Sequence, residues 1–101
     1  MHLNVTKVPE VVGQWLDTTV IPKSNTLQKF SIYVAFGLRS PELVEQAKAF
    51  ADKDGNIDLD KLEPVVTDAL NKVGGHVPLM GWDFDNADLA KILEYAKQRG
   101  N

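Results

Sequence analysis

The stretch NTLQKFSIYVAFGL, residues 25–38, contains one charge, Lys29, and almost no polar face. Phe30, Ile32, Val34, Phe36 and Leu38 alternate as they would in a half-buried strand. Ser31, Tyr33, Ala35 and Gly37 between them are not strongly polar either. A helix that is apolar nearly all round reads the same way, and Asn25 is placed to cap one. The helix is the favoured reading and the strand its alternative. Either way the rest of the chain must cover this segment or leave a patch exposed.

The other periodic segments are helical. In VPEVVGQWLDTTVIP, Pro9 suits the first helical position, and Val11, Val12, Trp15, Leu16 and Val20 recur at helical spacing. Pro22 predicts the exit, giving a helix over 9–20. Gly13 in its middle costs about 1 kcal/mol against alanine and marks a close helix contact. In SPELVEQAKAFAD, Ser40 reads as an N-cap with Pro41 at the first position and Glu42 in the first turn, which predicts a new helix to about residue 51. In DLDKLEPVVTDALNKVGG, Leu59, Leu62, Val66, Ala69, Leu70 and Val73 form a stripe, Pro64 predicts a kink or a tight first turn, and Gly74–Gly75 stops the helix. HVPLMGWDFD follows no single period and reads as an extended segment over 76–84. Asp85 then caps a last helix, with Asp88 three residues on, Phe84 placed to staple onto Leu89, and Leu89, Ile92, Leu93 and Ala96 along its face. The expected fold is mainly α: one compact domain, 1–101, of four to five helices with 76–84 extended. The alternative is α+β, with 30–38 and 77–84 as a small two-stranded sheet.

A chain of 101 residues, 44% hydrophobic and 25% charged, is long enough to fold around its own core. It has no cysteine, which removes disulfides, thiolate metal sites and thiol nucleophiles. The net charge of −3 is uneven. Residues 1–51 hold Lys7, Lys23, Lys29, Arg39 and Lys48 against Glu10, Asp17, Glu42 and Glu45, whereas residues 52–94 hold ten acids and four lysines. Binding to a nucleic-acid backbone needs clustered Lys and Arg, so no nucleic-acid partner is expected. Pro9, Glu10 and Asp17 interrupt the first twenty residues, which reads as neither signal peptide nor membrane span.

One segment looks like chemistry. DKDGNIDLDKLE, residues 52–63, places Asp52, Asp54, Asn56, Asp60 and Glu63 at the ligand positions of a calcium loop. The sixth position is Ile57, where the motif needs glycine for a sharp turn. Sliding the register so that Gly55 takes the sixth position puts Phe50 first and Lys61 last, and two ligands are lost. A turn followed by a helix capped at Asp58, with Ile57 stapled onto Leu62, explains more of the stretch. Calcium binding is the alternative, and no cofactor is otherwise expected. His76 lies near Asp83 and Asp85 in sequence, but no nucleophile elbow or triad accompanies it, so the chain does not read as an enzyme. WDFD, 82–85, reads as core anchors leading into the last helix, with a recognition patch at Trp82, Asp83 and Asp85 as the other reading.

VVGQWLDTTVIPKSNTLQKF, DGNIDLDKLEPVVTDALNKVGG and GWDFDNADLAKILEYAKQ together resemble, in order and spacing, small uncharacterised proteins of bacterial tailed phages and prophages. The resemblance covers most of the chain. It implies a cytoplasmic setting in a bacterial or infected host cell, or a virion, and it assigns no activity and no residue role. The expected function is a non-enzymatic interaction or structural module that binds a protein partner or a second copy of itself, as a homodimer by default, with no membrane contact. Trp15 and Tyr33 are the aromatic candidates for the contact.

Overall fold

The computed structural model describes residues 1–79 and 82–101; Met80 and Gly81, which the expected extended segment also spans, lie outside the described residues. The chain is mainly helical. It starts with strand β1 (His2–Asn4) and a short 3-10 turn, Val5–Lys7. Helix α1 (Val8–Trp15) follows, with Pro9 in its first turn as expected. The helical path does not leave at Pro22. It continues as a π turn, Leu16–Val20, and a 3-10 turn, Ile21–Lys23. Pro22 sits early in that 3-10 turn, where a missing N–H costs no ladder bond, so the exit moves to Ser24.

Segment 25–38 is helical, which corrects the strand alternative. It belongs to α2 (Thr26–Ala47), opened by a reciprocal capping box between Asn25 and Gln28. The helix passes through the boundary predicted at Ser40, so 26–47 is one element and not two. Ser40 caps nothing. Its hydroxyl donates to the Phe36 carbonyl at 2.7 Å, one turn back inside the same helix. Pro41 has no N–H to give the Gly37 carbonyl four residues earlier, and its ring crowds that carbonyl. The helix ends at Ala47 and tightens into a 3-10 turn, Lys48–Phe50, short of the expected residue 51.

Strand β2 (Asn56–Asp58) pairs antiparallel with β1, with Leu3 opposite Ile57. Helix α3 (Leu59–Lys72) begins where expected: Asp58 accepts from the backbone N–H of Asp60 and Lys61. It runs unbroken past Pro64 and stops at Gly74 and Gly75, whose φ of 92° and 85° only glycine adopts cheaply. Strands β3 (His76–Leu79) and β4 (Trp82–Asp85) form a hairpin, so the sheet pairs 77–84 with itself and not with 30–38. The last helix, α4 (Asn86–Arg99), opens with the capping box expected at Asp85 and Asp88.

The core has two lobes. Leu3, Val5, Val11, Ile57, Leu59 and Ala96 fill the first, and Val44, Ala47 and Leu62 pack against it. Trp15, Leu16 and Val20 fill the second, with Ile32, Phe36, Trp82 and Phe84 around them. Ile92 and Tyr95 of α4 touch both lobes. Phe84 stands edge-on to Trp15, ring centres 5.4 Å apart, an arrangement favoured by the ring quadrupoles. Gly13 marks the close contact its position suggested: a Cβ there would meet the Phe36 ring at 3.4 Å.

Candidate interaction face

Helix α2 buries none of its 22 residues. Its inner side leans on α1 through Ile32 and Phe36, which are only half-buried. On its outer side Leu27 is 75% exposed, Phe30 69%, Val34 43% and Leu38 76%. Spacings of three, four and four residues put these four on one stripe. At 1.5 Å per residue the stripe is roughly 16 Å long. Gly37, beside it, has open space where a side chain would project. At the amino-terminal end Leu27, Gln28, Ser31, Ile32, Lys23 and Trp82 line a shallow groove, with the Lys23 ammonium 5.7 Å from the centre of the Trp82 ring.

Trp82 is held in that groove by Asp88. This carboxylate is 5% exposed, yet it is satisfied. Its Oδ1 accepts from the Trp15 indole N–H at 3.1 Å, and its Oδ2 accepts from the Trp82 indole N–H at 3.1 Å and the Asp85 backbone N–H at 3.1 Å. Burial pushes the Asp88 carboxyl up, but the two indole hydrogen bonds and the backbone N–H outweigh it and hold it below the usual carboxylate range. Sequence reasoning took Asp88 only as the third residue of a capping box. Its tryptophan partners lie 73 and 6 positions away, and the one hint was a lone carboxylate placed in the first turn of the last helix.

The predicted contact residues divide. Trp15 is 3% exposed and committed to the second lobe, so it offers no contact surface, which corrects that expectation. Tyr33 stands at the edge of the stripe, its hydroxyl donating to Asp17 at 3.0 Å. That hydrogen bond to a carboxylate, with burial adding to it, holds the phenol above its ordinary range. Trp82 is half-buried in the groove wall. Asp83 faces water and meets His76 Nδ1 at 3.0 Å, so the pair suggested by sequence proximity exists on the exposed side of the hairpin. Asp85 is occupied as the α4 cap.

The calcium-loop carboxylates do not converge. Asp52 accepts the backbone N–H groups of Asn56 and Asp54, which lower its carboxyl below the usual range, the Asn56 bond most. Asn56 accepts from the Asn4 amide across the β1–β2 pair. Asp60 takes the Met1 ammonium at 2.8 Å, and that hydrogen bond is the main reason its carboxyl is lowered. Glu63 pairs with Lys97 at 2.9 Å, which raises the lysine. Asp54 is exposed. Among the described residues no three acidic or histidine side chains gather as a cation would require.

No match to this chain was found among protein-family models, curated proteins or solved structures.

Proposed function

We propose that the protein is a non-enzymatic interaction module whose working surface is the outer face of α2, of the structural or accessory kind that tailed phages and prophages encode. One observation carries this reading: Leu27, Phe30, Val34 and Leu38 form a continuous apolar stripe in water, on a helix that already leans on the core with its other side. Such a stripe costs free energy until something covers it, and patches of this kind mark contact sites. Charged groups flank the stripe at Lys23, Lys29, Arg39 and Glu42, giving it a polar rim. The His76–Asp83 pair stands open to solvent, which suits a surface ion pair better than a general base that must be shielded from water. The phage setting rests on the layout of the sequence alone.

A photo-crosslinking amino acid at position 30 tests the face in cells that make the protein. Position 65 is the control, since Val65 is also an exposed apolar residue, on α3. Discrete adducts from position 30 and none from position 65 are expected. The same products from both positions would show mere stickiness and sink the proposal.

A further inference from the structure

We infer that the occupant of the α2 face is a second copy of this chain, docked with its α2 antiparallel to the first; this rests on the reading of that face as an interface. Three observations point the same way. The first is area. The chain exposes 6359 Å². A folded monomer of this mass exposes roughly 5,700 Å², so about 650 Å² is surplus. That surplus approaches the roughly 800 Å² that each partner contributes to an interface of standard size. The radius of gyration, 13.6 Å, exceeds the roughly 12.7 Å of a compact chain this long in the same sense.

The second is the shape of the stripe. It is narrow, straight and confined to one helix, and a two-fold axis across its middle lays Leu27 of each copy against Leu38 of the other. Phe30 and Val34 then fill the middle from both sides. The third is charge. Lys23 lies four residues before Leu27 and lines the groove with it; Glu42 lies four residues after Leu38. In the antiparallel arrangement each Lys23 comes level with the Glu42 of the other copy, twice per dimer. A parallel arrangement would bring Lys23 to Lys23 and Glu42 to Glu42, like charges that repel.

Sedimentation equilibrium over a micromolar series reads the mass, and charge reversal reads the orientation. The wild-type chain should sediment at twice 11.2 kDa. Phe30→Glu and Leu38→Glu should each return it to the monomer while the circular-dichroism spectrum and unfolding temperature at high dilution stay those of the wild type. Lys23→Glu and Glu42→Lys should each weaken the dimer roughly tenfold, and the double reversal should restore it. Because the chain has no cysteine, Leu27→Cys mixed with Leu38→Cys should give the mixed disulfide on oxidation, and neither variant alone should cross-link. A monomeric mass throughout the series overturns the self-pairing and leaves the cross-linking at position 30 to judge a foreign partner. A dimer indifferent to Phe30→Glu and Leu38→Glu, or a double reversal that fails to rescue, overturns it as well.

Discussion

Helices α1 and α2 lie against each other and meet opposite fates. In the helical path from Val8 to Val20, Val11, Trp15, Leu16 and Val20 are all buried, each 5% exposed or less. Helix α2 is nearly three times as long as α1 and buries nothing. Its amino-terminal half is also the least polar stretch of the chain. Apolar content therefore does not decide which helix becomes core. A narrow stripe beside a glycine lets α1 sit deep between α4 and α2, whereas α2, apolar on both sides, has only one side that a chain this small can cover.

The comparison breaks or holds first on two aromatic residues. Trp15→Ala should cost about 3–5 kcal/mol by denaturant or thermal unfolding, because it removes the centre of the second lobe and leaves Asp88 one donor short. Phe30→Ala, measured at dilutions where no dimer forms, should change stability by no more than about 0.5 kcal/mol. Comparable losses from both would mean that the outer face of α2 is covered within the monomer.

Asp88 sharpens the contrast on the buried side. Asp88→Ala should cost about 2–3 kcal/mol in the same assay, since it strands two indole N–H groups and the Asp85 N–H in a dry site. Asp88→Asn should lose less, keeping one acceptor oxygen while turning an NH2 toward groups that already donate. The folded-state carboxyl lies below its unfolded value. Its contribution is therefore fully present above the ordinary carboxylate pKa of about 3.9 and is lost as pH falls through the folded value. Stability should decline below about pH 4, and the decline should be shallower in Asp88→Ala. Asp52 and Asp60, also lowered, keep part of the slope in both proteins. Identical slopes would remove Asp88 from this role.

Asp85 stands next. Asp85→Ala should cost about 1 kcal/mol and Asp85→Asn only a few tenths, because asparagine caps as well as aspartate. Equal losses would assign the effect to charge near Trp82 and Asp83. Smaller still are the two glycines. Gly37→Ala should stabilise the monomer by up to about 1 kcal/mol, as nothing stands where the methyl would go. Gly13→Ala should come out near zero, its helix-propensity gain offset by the Phe36 ring 3.4 Å from the new Cβ. Excess calcium against chelator should leave the unfolding temperature unchanged. A real site at a hundred times its dissociation constant would add about 2.7 kcal/mol, several degrees for a domain this size.

Local chemistry was readable from the sequence where its partners are local. The caps at Asn25, Asp58 and Asp85, the stop at Gly74–Gly75 and the close approach at Gly13 all depend on residues within a turn or on one missing side chain. Ser40-Pro41-Glu42 misled because it carries every sign of a helix start, yet Leu43, Val44 and Ala47 continue the inner face of α2 and hold the turn in line. The β1–β2 pair was not readable, since three residues near the start find their partners more than fifty positions on. The tryptophan-bound carboxylate escaped for the same reason.

The proline inside α2 has a mechanical consequence. Ile32 and Phe36, before it, bear on the second lobe; Val44 and Ala47, after it, bear on the first. A helix missing one rung is softer at that point than on either side. The stripe from Leu27 to Leu38 lies wholly on the near side. Load applied there is carried by the tryptophan lobe and relaxed at Pro41 before it reaches the strand pair that ties the chain's first residues to its middle. The helix works as two stiff rods on a compliant joint, and only one of them carries the grip.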